Sequence, residues 1–214
     1  GCEGRIGGGR GGRGHRAAGP DCPGNVKPVS ELAGIDGDQR GVGSCKNASY
    51  LDRMKVAAIL KGKRIHPDVA FTVSPGSRQG LMMLAENGAL ADILGAGARV
   101  LECACGPCIG NGQSPKEGAI SLRTFNRNFY NRSGTPSAQV SLVSPETAAV
   151  SALTGVMTSP EGVALPEIKM PEKFLLYDNL SLRTDEFGDV TVGRVSNIKP
   201  FPAPHPHAKA PKGY

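Results

Sequence analysis

The sequence predicts an α/β fold with a mostly parallel sheet. Short apolar segments at 69–73, 98–101 and 139–143 have the length and composition of buried strands. Segments with apolar residues at helical spacing alternate with them, separated by Gly and Pro turns. This alternation is typical of βα units, whose strands run parallel and whose ligands bind at the carboxyl ends of the strands.

The first elements lead to a cysteine. We expect an extended segment at 26–32, a turn at Asp36-Gly37, and a strand ending at 41–44 that delivers Cys45 to a loop. Ser49-x-x-Asp52 has the spacing of a capping box, which predicts a helix to about Lys61.

The remaining elements alternate in the same way. They are, in order, a strand at 69–73, a helix that Ser77 caps and Asn87-Gly88 ends, a short helix at 89–94, strands at 98–101 and 139–143, and a helix from Pro145 to about Leu153.

Both ends of the chain differ from the middle. Residues 1–19 are rich in Gly and Arg and predict a disordered tail, whereas 157–214 mix Pro, charge and short β-like pieces and predict an irregular linker. The folded domain is therefore expected at 20–156. The net charge of +6 comes largely from the two ends, so we expect no nucleic-acid ligand on the domain. No apolar run reaches transmembrane length, and we expect a cytoplasmic protein, or a mitochondrial-matrix protein if eukaryotic.

Three of the six cysteines form a suggestive pattern. Cys105 and Cys108 make a C-x2-C pair after one predicted strand, and Cys45 follows another strand 60 positions earlier. Three thiolates from strand-end loops suit an iron–sulfur cluster. Three ligands leave one iron open to bind a substrate hydroxyl as a Lewis acid, as an open position does in catalytic zinc sites.

Spacing alone leaves three other interpretations open. The sequence CGPC at 105–108 is a thiol–disulfide active-site motif, although Ala104 stands where a Trp usually precedes it. A structural zinc site would need a fourth ligand, for which Cys103 and His66 are the weak candidates. The thiols could also be ordinary buried apolar groups.

Longer segments resemble the aconitase family over about residues 20–200. GVGSCKNASY is similar to the family's GSCTNSS loop, ACGPCIG to its second cysteine loop, and SLRTFNRNFYNRSG to its arginine loop. Three further segments match in the family's order: SPGSRQ, LVSPETAAVSALTG and SNIKPFP. In addition, GPDCPGNVKPVSEL resembles a degraded form of the family's PHSPDNVVPVSEL.

The resemblance implies a three-layer α/β/α iron–sulfur domain with a [4Fe–4S] cluster. It assigns roles to six residues: Cys45, Cys105 and Cys108 as cluster ligands, Asn126 as a hydrogen-bond donor beside the cluster, and Arg127 and Arg132 as binders of substrate carboxylates. Guanidinium groups pair bidentately with carboxylates, which agrees with the last of these roles. Lys46 and Cys103 depart from the family pattern beside the site.

The implied function is that of an aconitate hydratase, a lyase of the tricarboxylic acid cycle that interconverts citrate and isocitrate through cis-aconitate. CGPC favours this activity or homoaconitase, because isopropylmalate dehydratases usually have GCSMC there. The alternatives are a homoaconitase or isopropylmalate dehydratase, a noncatalytic iron–sulfur or RNA-binding remnant, and a thiol oxidoreductase.

The resemblance also implies that the sequence is a fragment. The family's catalytic serine and its acid–base groups lie in domains without a match here, and none of the four histidines matches a family catalytic histidine. We expect the chain to bind a small tricarboxylic acid together with the missing domains and to turn over little substrate alone.

Overall fold

The computed structural model describes residues 14–174, 176, 183–186, 188, 189, 193, 196 and 199. The chain divides into two units, Gly1–Leu176 and Tyr177–Tyr214. In the second unit, a 3-10 turn covers Thr184–Glu186, and Arg183 Nε lies 3.4 Å from Asp185 Oδ1. The predicted β-like pieces at 174–177 and 189–195 lie mostly outside the described residues, as do residues 1–13.

The first unit is built on a seven-stranded sheet in which five consecutive strands, up to one edge of the sheet, are parallel. Its strands are β1 (Arg16–Ala18), β2 (Val26–Pro28), β3 (Gln39–Gly43), β4 (Ala70–Ser74), β5 (Arg99–Val100), β6 (Ile120–Arg123) and β7 (Gln139–Leu142). They lie in the order β2-β1-β7-β6-β3-β4-β5, and β1 pairs antiparallel with both of its neighbours. The predicted α/β class with a mostly parallel sheet is confirmed.

The described part of the first unit has four α-helices, three of which begin at a capping serine. They are α1 (Tyr50–Leu60), α2 (Arg78–Glu86), α3 (Ala89–Gly95) and α4 (Pro145–Thr154). The hydroxyl of Ser49 accepts from Asp52 N at the start of α1, and Ser77 and Ser144 accept in the same way at α2 and α4. α4 ends at Gly155 with φ +86. No helix among the described residues is long and apolar enough to cross a membrane.

The helices pack on one face of the sheet. α1 contacts the other three helices, and its apolar residues join those of β3 and β4 in one core that includes Val42, Ile59 and Phe71. On β3, Arg40 points toward this side, because its Nη2 donates to Gly155 O at the end of α4. Over residues 14–174 the helices therefore form one layer.

Loops cover part of the opposite face. Gln39 on β3 donates to Gln113 O, and Arg123 on β6 donates to Pro107 O, both from the loop between β5 and β6. The second helical layer of the expected three-layer arrangement is not seen in the described part of the chain; this loop takes its place over these side chains.

The structure departs from the prediction in three further places. Residues 16–18, expected to be disordered, form β1, in which Ala17 is buried. Asp36, expected in a turn, pairs with Val156 in an isolated bridge. The central strand β6 was not predicted, because two of its three buried residues, Ser121 and Arg123, are polar.

Candidate metal centre

Cys45 follows an unusual backbone path at the carboxyl end of β3. Gly43 has φ +110, and a Cβ there would overlap the carbonyl oxygen of Ser74 on β4. Ser44 is buried and has φ +119, a conformation that residues with side chains rarely adopt. Ser44 N donates to Ser74 O. The chain therefore leaves β3 by a sharp, tightly packed bend that presents Cys45 at the sheet edge.

Thr124, directly after β6, ties the Cys45 loop to the neighbouring strand. Its Oγ1 accepts from Gly43 N at 2.9 Å, and its carbonyl oxygen accepts from Asn47 Nδ2 at 2.8 Å. β3 and β6 are adjacent and parallel, so their carboxyl ends lie side by side. The two bonds fix the Cys45 loop against the start of the arginine loop, which we define as residues 124–134.

Cys105 and Cys108 lie in the cysteine loop, residues 101–118, between β5 and β6. A 3-10 turn covers Pro107–Ile109 and ends at Gly110, which has φ +89 and lies against the carbonyl of Ser133. Ser114 Oγ bonds to Gly110 O at 3.1 Å and to Ser133 O at 3.0 Å. The cysteine loop is thus packed against the arginine loop.

Cys105 interacts with the other two predicted ligand cysteines. Hydrogen bonding with the Cys45 thiol, followed by the charge of Cys108, raises the pKa of the Cys105 thiol. Cys45 and Cys105 are exposed, and Cys108 is half-buried. The Cys105 thiol therefore interacts with a thiol of its own loop, Cys108, and with the thiol of Cys45 in the other loop.

Cys103 faces a different environment. Burial raises the pKa of its thiol, with a further contribution from Glu102 and an opposing one from Arg53. None of the three predicted ligand cysteines contributes to this shift. Cys103 therefore stands apart from the other thiols of its loop.

Guanidinium groups lie beside Cys108. Arg132 Nη2 is 3.7 Å from Cys108 Sγ, and Arg132 Nε is buried without a hydrogen-bond partner in the described part of the chain. Arg127 and Asn126 are exposed, and within the described residues neither makes a hydrogen bond or ion pair. The structure thus brings Arg132 to the thiols and leaves Arg127 and Asn126 free at the same sheet edge.

The geometry separates the alternatives. A thiol–disulfide nucleophile needs a depressed pKa, usually at a helix N-terminus, whereas the pKa of Cys105 is raised and only a 3-10 turn follows it. Among the described residues, no three His, Cys, Asp or Glu side chains lie close enough to hold one metal ion. A four-iron cluster spaces its ligands farther apart, because each thiolate binds a different iron.

The sequence interpretation missed the polar residues that hold these loops. Arg123, Gln39 and Ser121 form a buried network behind the cysteine loop, and Asn47 and Thr124 join the two strand ends. Polar Ser121 and Arg123 flank apolar Leu122, and this polar–apolar alternation was the one sequence signal of a strand with a polar face.

Comparison with known proteins identifies the family. The model of the aconitase family (aconitate hydratase) matches residues 20–155. The chain belongs to the aconitase family.

Similar members of the aconitase family include two 3-isopropylmalate dehydratase large subunits. That of Sulfurihydrogenibium sp. is 43% identical over 146 residues, which cover 68% of this chain and 34% of the relative. Large subunit 2 of Pyrococcus furiosus is 42% identical over 144 residues, 67% of this chain and 37% of the relative. The methanogen homoaconitase large subunit of Methanocaldococcus jannaschii is 38% identical over 141 residues, which cover 65% of this chain and 34% of the relative.

These aconitase-family relatives refine the expectation from sequence. The hydro-lyase family is confirmed, but the names of the relatives favour the alternative of isopropylmalate dehydratase or homoaconitase over aconitate hydratase, and they do not support the expected role in the tricarboxylic acid cycle. The chain spans about a third of the length of these relatives.

Proposed function

We propose that this chain is the cluster-binding part of an iron–sulfur hydro-lyase of the isopropylmalate dehydratase or homoaconitase type. Two observations support the proposal: Cys45 and the Cys105–Cys108 segment follow strands of one parallel sheet at the same edge, and the Cys105 thiol interacts with the other two thiols. A [4Fe–4S] cluster held by three thiolates supplies, when bound, one iron that can polarise a substrate hydroxyl.

The residues around the thiols fit such a cluster. Thiolate ligands add negative charge, which nearby cations stabilise. Arg132 contacts the Cys108 sulfur, Arg123 lies behind it, and the exposed Lys46 follows Cys45 directly. The exposed amide of Asn126 is free to donate a hydrogen bond toward the same edge.

Substrate binding is proposed for Arg127 and Arg132. Arg127 has all its guanidinium donors free in the described part of the chain, as a carboxylate-binding group requires. Arg132 has a buried Nε without a partner and an Nη2 on the cysteine sulfur, so it can bridge the cluster and one carboxylate. A hydroxy acid with two or more carboxylates suits this pair.

The complete enzyme includes more than this chain. The thiols, guanidiniums and amides of the site include no general base, so we expect little turnover by the chain alone. Because the relatives are named large subunits, we also propose a second subunit in the assembly. The cytoplasmic location remains a prediction.

Anaerobic reconstitution with iron and sulfide tests the cluster. We expect visible absorption and, after reduction, an electron paramagnetic resonance signal in the wild-type chain, and loss of both in Cys45→Ala, Cys105→Ala and Cys108→Ala. Cys103→Ala is the matched control from the same loop and should retain both. Equal uptake by all four variants, or none by the wild type, would refute the proposed site.

Substrate class is tested on the reconstituted chain. Addition of 3-isopropylmalate or homocitrate should change the resonance spectrum at lower concentration than citrate does. Arg127→Ala should weaken this response about tenfold or more, as expected for loss of a charged hydrogen bond. Arg64→Ala replaces an exposed arginine outside both loops and should have no effect. A preference for citrate would return the assignment to aconitate hydratase.

A further inference from the structure

Arg123 is a buried cation whose hydrogen-bonding capacity is fully used. Its side chain is 1% exposed. Nε donates to Ser121 Oγ at 2.8 Å, Nη1 to Ser133 Oγ at 2.7 Å and Pro107 O at 3.3 Å, and Nη2 to Gln39 Oε1 at 2.6 Å and Gln113 O at 3.1 Å. A guanidinium has five N–H donors, and all five are used here.

The five acceptors connect three parts of the site. Ser121 and Gln39 lie on β6 and β3, Pro107 and Gln113 in the cysteine loop, and Ser133 in the arginine loop. Pro107 precedes Cys108, and Ser133 follows Arg132. One guanidinium group therefore links the residue before a predicted cluster ligand to the residue after a predicted substrate-binding arginine.

The charge of Arg123 has no carboxylate partner in the described part of the chain. Every acceptor around it is neutral, and burial lowers the pKa of the guanidinium to about 10, with Cys108 as the opposing charge. A buried charge is costly unless it is paired. The Cys108 sulfur is neutral as a thiol but anionic as a ligand, so the counter-charge would be present when Cys108 binds iron.

We propose that Arg123 is a positioning residue for the metal centre, which fixes the cysteine loop against the arginine loop and places a permanent positive charge behind Cys108. Its role in positioning follows from the hydrogen bonds alone, whereas its role as a counter-charge rests on the proposed cluster. A positive charge behind the cluster stabilises the reduced form and raises its midpoint potential.

Arg40 provides a matched control. It is equally buried, lies on the neighbouring strand β3, and burial also lowers its pKa to about 10. Its guanidinium, however, donates to Gln39 O and to Gly155 O at the end of α4, and its opposing charge is Asp38. Loss of Arg40 should destabilise the fold without reaching the thiols.

Hydrogen exchange on the iron-free chain tests positioning. In Arg123→Gln, amides of 105–114 and 129–134 should exchange at least tenfold faster than in the wild type, while Arg40→Gln should accelerate exchange around 155 instead. Ser133→Ala removes one of the five bonds at little risk to folding and should accelerate exchange in 129–134. If Arg123→Gln folds and exchange in both loops is unchanged, the positioning role is overturned. If Arg123→Gln does not fold, unchanged exchange at 129–134 in Ser133→Ala overturns it.

Redox titration of the reconstituted chain tests the charge. The midpoint potential should fall in Arg123→Gln, fall less in Arg123→Lys, and stay at the wild-type value in Arg40→Gln. An unchanged potential in Arg123→Gln, or an equal fall in Arg40→Gln, would overturn the counter-charge role while the proposed cluster stands. If the wild-type chain takes up no cluster, the proposed function and the counter-charge fail together, and hydrogen exchange alone decides the positioning role.

Discussion

Replacing Gly43 with alanine would break the bend that presents Cys45. At φ +110 any side chain costs about 1–2 kcal/mol. The new methyl group would also overlap Ser74 O, a backbone atom of the paired strand β4 that cannot turn away, which adds about 2 kcal/mol. We expect the free energy of unfolding to fall by about 3–4 kcal/mol, which is a large share of the stability of a typical domain.

Gly97→Ala separates strain from overlap. Gly97 has φ +99, but a Cβ there meets nothing within 4 Å. Its loss of stability should therefore be only the conformational cost of about 1–2 kcal/mol. Urea unfolding followed by circular dichroism measures both variants by linear extrapolation. Equal losses in the two would refute the argument that the contact between β3 and β4 determines the bend.

Gly43→Ala should also affect the metal centre. Movement of β3 away from Ser74 displaces Cys45 from Cys105, so Gly43→Ala should lower cluster uptake at a urea concentration at which it is still folded. Gly97→Ala should take up iron normally. Normal uptake in Gly43→Ala would show that the Cys45 loop tolerates movement of the strand beneath it.

Three further predictions concern single contacts. Lys55→Met removes the 2.7 Å ion pair with Glu146, which is partly exposed, and should cost about 1 kcal/mol at neutral pH. Burial raises the pKa of Glu146, but the hydrogen bond and charge of Lys55, together with hydrogen bonds from the backbone of Glu146 and from Ser144, outweigh it, and the net pKa lies below 4.5. The ion pair therefore stabilises the fold above pH 4.5, and this stabilisation is lost as the pH falls below the pKa of Glu146. Urea unfolding of the wild type and Lys55→Met at neutral pH and at about pH 3 measures the difference. An equal loss of stability at both pH values would contradict this expectation. Asn47→Ala removes the hydrogen bond to Thr124 O and should lower the free energy of unfolding by about 1 kcal/mol and accelerate hydrogen exchange of amides 44–48. Unchanged exchange would show that this hydrogen bond does not hold the Cys45 loop in place. Ser49→Ala removes the cap of α1 and should lower stability by about 1 kcal/mol in thermal unfolding, with Ser49→Thr retaining most of it; an alanine variant as stable as the wild type would contradict this.

Local chemistry explains why the helices could be predicted. Ser49, Ser77 and Ser144 form caps through bonds to amides three residues later, and such bonds depend only on neighbours in sequence. The strand β4 was equally clear, because the residues after its first position are buried and most of its residues are apolar or β-branched.

Strand β6 was missed for the opposite reason. Ser121 and Arg123 are buried but polar, because they bond to groups of the two loops instead of packing in the apolar core. A polar residue in such a short segment predicts exposure unless its partners are known. Those partners are up to 84 positions away, so no local pattern could reveal them.

The sequence by itself determined the family, the class of fold and the order of the cysteine and arginine segments, because motif spacing and capping are properties of neighbouring residues. Tertiary structure alone decided that helices cover one face of the sheet while the cysteine loop lies over part of the other. It also brought Cys45 to Cys105 and gave Arg123 its five acceptors. The physical reason is that these contacts depend on which strands lie side by side, and the parallel pairing of β3 with β6 joins segments about 80 residues apart in the chain.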